Sequence, residues 1–179
     1  MKVPLKIVPE RSLHLPREFT EKDAELLISK LFELNQSKGD IFLQINSGGG
    51  SFAGAQKLYD NIVMSPNPVI GLVIGDCFSA ASMVLQACSK RYASKHSRLL
   101  IHHVSYPVRF TFSHKDTIEK VNPMILGELE RIERNNKVLI SILESKFLIS
   151  TEQIIKLMDK EQVITPVQAL EIGFIDELL

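Results

Sequence analysis

Three successive glycines, Gly48 to Gly50, follow directly on the apolar run IFLQI at residues 41–45. The run predicts a buried strand, and residues 52–64 after the glycines predict a helix. Glycine accepts positive φ angles and lets a ligand approach the backbone, and ligands of parallel α/β sheets bind where strands end and helices begin. The glycine turn is therefore a candidate site, although a tight turn packed under a helix would also use glycines.

The same order of strand and helix is repeated along the chain. An amphipathic helix is predicted between Thr20 and Lys38, further strands at 69–75 and 98–104, and a helix of small residues at 79–88. Strand, helix and strand joined by short connections form the parallel βαβ pattern, whose crossover is right-handed. The sequence therefore predicts an α/β fold with a mostly parallel sheet and packed helices.

The carboxyl-terminal half is predicted to be more extended. Alternation of Val108, Phe110 and Phe112 with polar residues favours a strand from Tyr106, and an apolar stripe predicts a long helix that Asn135-Asn136 weakens without ending it. The remaining predicted elements are a short strand at 91–94, a helix from Ser150 to Lys156, a strand at 162–164, a short helix from Thr165 to Gly173 and a strand at 174–178.

Composition excludes several classes of function. Lys plus Arg and Asp plus Glu both number 21, so the chain has no basic field to attract nucleic acid. The amino terminus lacks the apolar core of a secretory signal, and no run reaches the roughly 18 apolar residues of a spanning helix. We therefore expect no membrane segment and a cytoplasmic location. Cys77 and Cys88 are not at metal-ligand spacing, so we expect reduced, packed cysteines and no metal or cofactor.

A serine and two histidines are predicted to lie at the same edge of the sheet as the glycines. Ser79 begins a helix four residues after Gly75 ends a strand, and His102 and His103 come at the end of the strand at 98–104. A serine hydroxyl needs a positioned base to become a nucleophile, and backbone amides stabilise the oxyanion that its attack creates. These parts together indicate acyl transfer, with a simple helix cap as the alternative role of Ser79.

Four segments resemble one known family. DIFLQINSGGG is similar to the strand and NSPGG loop of the ClpP family, GDCFSAASM to its nucleophile turn, SRLLIHHV to its SRxMIHQP segment, and ITPVQALEIGFID to its carboxyl-terminal ending. They occur in the family's order and cover most of the chain from about Ser12 onward. The resemblance implies a ClpP/crotonase-like α/β fold of repeated βαβ units, in a single peptidase domain over residues 1–179 with an extended handle region at about 104–147.

The resemblance also implies a serine endopeptidase that works without metal or cofactor. On the matching positions, Ser79 is the nucleophile, His102 the general base, and the backbone amides of Gly50 and Ala80 form the oxyanion hole. The family's third triad member is an aspartate, and its position matches Glu161 here.

Three other residues lie close in the sequence to the assigned ones. Asp159 is the second candidate for the triad acid. Ser82 competes with Ser79 because it lies in AASM, a string that the family shows around its nucleophile, but we expect it to be buried structure. His103 replaces a glutamine of the family and is expected to face away from the site.

For partners, the resemblance implies a peptide or unfolded protein as substrate, a homo-oligomeric ring that encloses a chamber, and an AAA+ unfoldase. Phe42 and Gln44 replace two tyrosines of the family's docking cleft, and the amino-terminal segment is shorter than the family's, so both changes argue against unfoldase docking. Two other functions stay open: a catalytically impaired ClpP-like assembly subunit and a crotonase-like acyl-CoA enzyme.

Overall fold

The computed structural model of the protein describes residues 6–105, 107–109, 111, 113 and 117–179. Its elements, after a 3-10 turn at Pro9–Arg11, are β1 (Ser12–Leu15), α1 (Glu21–Leu34), β2 (Ile41–Ser47), α2 (Phe52–Val63), β3 (Val69–Phe78), α3 (Ala80–Gln86), β4 (Lys90–Ala93), β5 (Arg98–Leu100), α4 (Ile118–Glu144), α5 (Thr151–Lys160), α6 (Pro166–Glu171) and β6 (Glu177–Leu178).

The named strands form one parallel sheet, as the βαβ pattern predicts. Its order is β1-β2-β3-β4-β6, and β5 pairs with β3 beside this path. The ten-residue strand β3 is long enough to serve two neighbours in succession. Its Ile70–Val73 half pairs with β4, and its Asp76–Phe78 half pairs with β5. The carboxyl ends of β2, β3 and β5 are thereby brought to one edge of the sheet.

Both faces of the sheet carry buried apolar side chains. On the helix-covered face, Ile41, Leu43 and Ile45 of β2 are fully buried in the main core. On the other face, a smaller cluster includes Phe42 and Leu72. Continuous burial along a strand is expected when a parallel sheet is covered on both sides.

Helix α1 begins directly after Thr20, where the sequence predicts the start of a helix. The Asp23 N–H donates to the Thr20 hydroxyl at 3.2 Å, and the Thr20 N–H donates to the Asp23 carboxylate at 2.8 Å. This reciprocal capping box satisfies two backbone donors that the first turn of a helix leaves without partners.

Two of the predicted strands are shorter than expected. The strand predicted at 98–104 ends at Leu100, and residues 101–105 have no regular structure. Its partner β3 turns into a helix after Phe78, so no backbone is left beside residues 101–104 for pairing. The strand predicted at 162–164 is reduced to a single antiparallel bridge between Ile164 and Leu99.

The strand predicted from Tyr106 to Phe112 falls partly outside the described residues. Of this segment, residues 107–109 and 111 are described, and they are not in a strand. Tyr106, Phe110 and Phe112 lie outside the described residues.

Helix α4 extends well beyond the body of the protein and lies within the predicted handle region. Its 27 residues span about 40 Å at 1.5 Å per residue. Leu139 and Leu143 near its end are buried, whereas Ile118 and Leu126 in its first half are exposed. The carboxyl-terminal half of α4 therefore packs on the body. In the described part of the chain, no helix combines the length and apolar character that crossing a membrane requires.

Candidate active site

The glycine turn after β2 lies directly against the turn between β3 and α3. An ideal Cβ atom built on Gly49 would lie 2.9 Å from the Cβ of Ser79 and 3.0 Å from the nitrogen of Ala80. One built on Gly50 would lie 2.0 Å from the carbonyl oxygen of Phe19. Neighbouring atoms therefore leave no room for a side chain at Gly49 or Gly50. The predicted convergence of the two turns is present in the structure.

Two backbone amides at this contact are free to bind an oxygen. The Gly48 N–H donates to a backbone carbonyl at 2.7 Å, and the Gly49 N–H donates to a serine hydroxyl at 3.2 Å. By contrast, neither the Gly50 nor the Ala80 N–H has an acceptor within the described part of the chain. Both residues line one cavity, so the two donors are available to a ligand there.

Ser79 has a strained backbone at the start of α3. Its φ of 56° and ψ of −126° are unusual for a residue with a side chain, and among the described residues Glu161 is the other non-glycine with positive φ. The Ser79 side chain makes no capping hydrogen bond, so the alternative of a helix cap is wrong. A strained serine between a strand and a helix is the geometry that exposes the nucleophile in serine hydrolases with a nucleophile elbow.

Ser82 has a structural role. It is fully buried, and its hydroxyl lies 2.8 Å from the carbonyl oxygens of both Cys77 and Leu100. The expectation that Ser82 is buried structure is confirmed. Its hydroxyl fixes the ends of β3 and β5 to the first turn of α3.

Four of the predicted site residues line one small cavity: Gly50, Ser79, Ala80 and His102. Side chains such as Leu139 of α4 add an apolar wall. His102 and Ser79 both line this cavity, and no hydrogen bond joins their side chains. Within the described residues the His102 ring makes no hydrogen bond at all. Catalytic hydrogen bonds are often long or absent in enzymes without substrate and form in the complex.

His103 lines the same cavity, contrary to the expectation that it faces away. That expectation assumed the alternation of a strand, but residues 101–105 are not in a strand. The Nε2 atom of His103 lies 2.8 Å from Oδ1 of Asp159, and its Nδ1 atom lies 3.2 Å from Oδ1 of Asn136. Sequence reasoning missed this group. The sequence signal that could have revealed it is Asn136, a polar residue in the middle of an amphipathic helix.

Neither candidate for the triad acid contacts His102 in the structure. Glu161 ends α5 in the left-handed conformation, with φ of 46°. Its exposed carboxylate makes no hydrogen bond or ion pair within the described ranges. Asp159 is also exposed and is engaged with His103. The structure therefore brings together the serine, the histidine and the two amides, and it leaves Glu161 apart from them.

The two cysteines do not contribute a nucleophile. Burial raises the pKa of both the Cys77 and the Cys88 thiol to about 12, so both stay protonated at neutral pH. Both side chains are buried, which confirms the prediction that they are packed inside the protein. The described residues include no group of three His, Cys, Asp or Glu side chains placed to hold a metal ion.

Comparison with known proteins agrees with the resemblance seen in the sequence. The family model described as Clp protease matches residues 2–179. The chain belongs to the Clp protease family. It is 31% identical over 182 residues to the ATP-dependent Clp protease proteolytic subunit 2 of Thermobifida fusca (strain YX). This alignment covers 97% of this chain and 83% of that protein. It is 29% identical to the corresponding subunit 2 of Tropheryma whipplei (strain Twist), over 97% of this chain and 93% of that protein.

A third relative, the ATP-dependent Clp protease proteolytic subunit of Carsonella ruddii (strain PV), is 29% identical over 97% of this chain and 86% of its own length. Membership in this family makes the chain a serine-type endopeptidase with the ClpP fold. The names of these relatives describe them as proteolytic subunits of an ATP-dependent protease. The crotonase-like acyl-CoA alternative is not favoured.

Proposed function

We propose that the endopeptidase reaction of this chain uses Ser79 as nucleophile and His102 as general base. In this mechanism His102 takes the proton of the Ser79 hydroxyl as the oxygen attacks the peptide carbonyl. It then gives the proton to the leaving amine, and water releases the acyl group. Glu161 orients the His102 ring and stabilises its cation. The Gly50 and Ala80 amides bind the tetrahedral oxyanion.

The observation that carries the proposal is the backbone of Ser79. A conformation of this kind costs about 1–3 kcal/mol and persists only where the surroundings impose it. Here the Ser79 N–H donates to the Leu100 carbonyl at 3.0 Å, and the Ser79 carbonyl accepts the Ser82 N–H at 2.9 Å. The strain leaves the Ser79 side chain on the cavity rather than in a cap, which is where a nucleophile must be.

The proposed oxyanion hole rests on the free amides of Gly50 and Ala80. Donors that are already fixed in place stabilise a developing negative charge without reorganisation, and one such donor contributes roughly 3 kcal/mol to the transition state in a comparable enzyme. Both amides lie beside the Ser79 turn, and the Gly49 contact holds the loop and the turn together.

Glu161 is the proposed acid for two reasons besides the resemblance. Its left-handed conformation lies at a helix end where glycine is the usual residue, so a side chain is retained there at a cost. Its carboxylate is unpaired in the described part of the chain, whereas Asp159 is engaged with His103. The mechanism requires the Glu161 carboxylate to turn to His102 when substrate binds or subunits assemble.

We further propose that the chain cleaves peptides or unfolded proteins inside a homo-oligomeric ring. Exposed apolar side chains on the first half of α4, such as Ile118, Leu126 and Leu129, are surface that an assembly would cover. The Phe42 ring is 3% exposed, so a docking cleft at this position offers little aromatic surface. An AAA+ unfoldase stays a predicted partner, and the burial of Phe42 argues against its docking. The cytoplasmic location also stays a prediction.

The test is turnover of a fluorogenic peptide and of an unfolded protein by the full-length assembled chain and by Ser79→Ala. We expect Ser79→Ala to assemble normally and to lose both activities, because Ser79 is the serine in the strained turn that lies beside His102 and the two free amides. Ser82→Ala is the matched control and should retain activity per folded molecule. Turnover by pure Ser79→Ala would reject the assignment. A wild-type ring that cleaves neither substrate would favour the catalytically impaired subunit.

A further inference from the structure

The segment that carries His102 lacks regular structure but is held at both ends. Before His102, the Leu100 carbonyl accepts the Ser79 N–H at 3.0 Å. After it, the His103 ring bonds to Asp159 of α5 and Asn136 of α4, and the Val104 N–H donates to the same Asn136 oxygen at 3.1 Å. His102 therefore lies between two fixed points, one beside the nucleophile and one on the helices.

Hydrogen-bond chemistry determines how these groups are oriented. The Val104 N–H can only donate, so Asn136 presents its amide oxygen to it. The same oxygen faces Nδ1 of His103, which must then carry a hydrogen. Nε2 of His103 faces a carboxylate oxygen of Asp159. The three contacts share one Asn136 oxygen and one imidazole ring, so they form a connected group.

We propose that Asn136, His103 and Asp159 form a network that positions His102 against Ser79. The inference rests on the proposed roles of Ser79 and His102, and it assigns no chemical step to the network itself. If the network is broken, residues 102–104 are no longer tied to α4 and α5, and the His102 ring loses its place at the cavity. The network thus acts on the rate of serine attack through the position of the base.

The network also explains the polar pair in the middle of α4. Asparagine is a poor residue for a helix interior, yet Asn135 and Asn136 occupy successive positions there. Asn136 makes two hydrogen bonds to the His102 segment. Asn135 makes none in the part of the chain that the structure describes. The two residues are therefore a matched pair that differs in this contact.

The experiment compares Asn136→Ala with Asn135→Ala in the full-length assembled protein. We expect Asn136→Ala to lower kcat about 10- to 100-fold, since a misplacement near 1 Å costs about that much, with little change in KM. The rate at which a fluorophosphonate labels Ser79 should fall by the same factor. Asn135→Ala should leave kcat and labelling unchanged. A shift of the unfolding midpoint in Asn136→Ala with normal kcat and labelling would overturn the proposal.

Surface variants give the same test if Asn136→Ala fails to fold. The side chains of His103 and Asp159 are 38% and 61% exposed, so replacing them leaves the core intact. We expect His103→Ala and Asp159→Ala to lower kcat similarly, and the double variant to lose little more than either, because coupled residues are not additive. His103→Gln keeps a donor for Asp159 and should recover part of the loss. Full additivity, or no recovery, would count against a single network.

Failure of this inference is distinguishable from failure of the proposed function. Ser79→Ala and His102→Ala are measured in the same assay. If both are inactive while Asn136→Ala, His103→Ala and Asp159→Ala keep the wild-type kcat, the positioning network is rejected and the mechanism stands. If Ser79→Ala or His102→Ala retains activity, the proposed function is rejected.

Discussion

Replacing Gly49 with alanine would add a methyl group where the glycine loop meets the Ser79 turn. The methyl carbon would lie 2.9 Å from the Phe78 carbonyl oxygen and 2.9 Å from the Ser79 Cβ atom. Carbon atoms in contact lie about 3.5–4.0 Å apart, so the loop and the turn must separate by roughly 0.6 Å or more. Because Gly50 follows directly, its amide moves away from the cavity with the loop.

This displacement should cost both stability and activity. Gly49 has φ of 102°, where a side chain costs about 1–3 kcal/mol. The added crowding costs about 1–3 kcal/mol more. Domains are stable by about 5–15 kcal/mol, so we expect Gly49→Ala to fold but to unfold at lower denaturant concentration. Loss of one oxyanion donor lowers kcat about 100- to 1000-fold, and we expect a decrease near the lower limit.

The assay is kcat on a fluorogenic peptide, with unfolding by denaturant measured on the same preparations. Gly48→Ala is the matched control from the same loop. Its Cβ atom would meet the Arg17 carbonyl oxygen at 3.5 Å, an ordinary contact, and its N–H is kept. We expect this control to be close to wild type in kcat and stability. A folded Gly49→Ala with wild-type kcat would refute the link between the loop position and oxyanion binding.

Three further predictions concern other parts of the account. Glu161→Gly should gain about 1 kcal/mol of stability because glycine adopts the left-handed conformation without strain, yet it should lose about 10³- to 10⁴-fold in kcat because the triad carboxylate is gone. Ser82→Ala should lower the free energy of unfolding by about 1–3 kcal/mol because the buried hydroxyl that hydrogen-bonds at the Cys77 and Leu100 carbonyls is lost, while kcat per folded molecule is kept. Partial burial works to raise the pKa of Asp176, but the hydrogen bonds and charge of Arg91 outweigh it and lower that pKa. The stabilisation that the Arg91–Asp176 pair gives the fold is therefore complete above about pH 4 and is lost as pH falls through the lowered pKa. Wild-type unfolding should therefore be more acid-sensitive than that of Asp176→Asn.

Each of these predictions has an outcome that contradicts it. Full activity in Glu161→Gly would remove this carboxylate from the mechanism and leave Asp159 as the acid. A loss of kcat in folded Ser82→Ala would reopen the choice of nucleophile. Equal acid sensitivity of the wild type and Asp176→Asn, measured by denaturant unfolding at pH 5 and pH 3, would mean that the Arg91 pair does not carry the acid response.

Much of the site could be predicted because its parts are local in the sequence. The glycine turn and the Ser79 turn each follow a strand within a few residues, and a parallel sheet brings such turns to one edge. The same local logic predicted the start of helix α1 at Thr20 and the parallel pairing of the strands. An element that contacts residues close to it in the sequence could therefore be predicted from the sequence alone.

The rest depends on packing between distant segments. The end of β5 at Leu100 follows from where its neighbour β3 turns, which no pattern within residues 98–104 reveals. The alternation argument therefore misplaced His103. Its partners Asn136 and Asp159 lie 33 and 56 positions further along the chain, on α4 and α5. The orientation of those helices is set by tertiary contacts rather than by periodicity.

The central claim is that His102 activates Ser79 beside the two free amides. Treating the assembled protein with a fluorophosphonate, followed by mass spectrometry of the digested peptides, tests it most directly. We predict one adduct per chain, on the peptide that contains Ser79, and its near absence in His102→Ala. An adduct on another serine, or equally fast labelling of Ser79 without His102, would contradict the account.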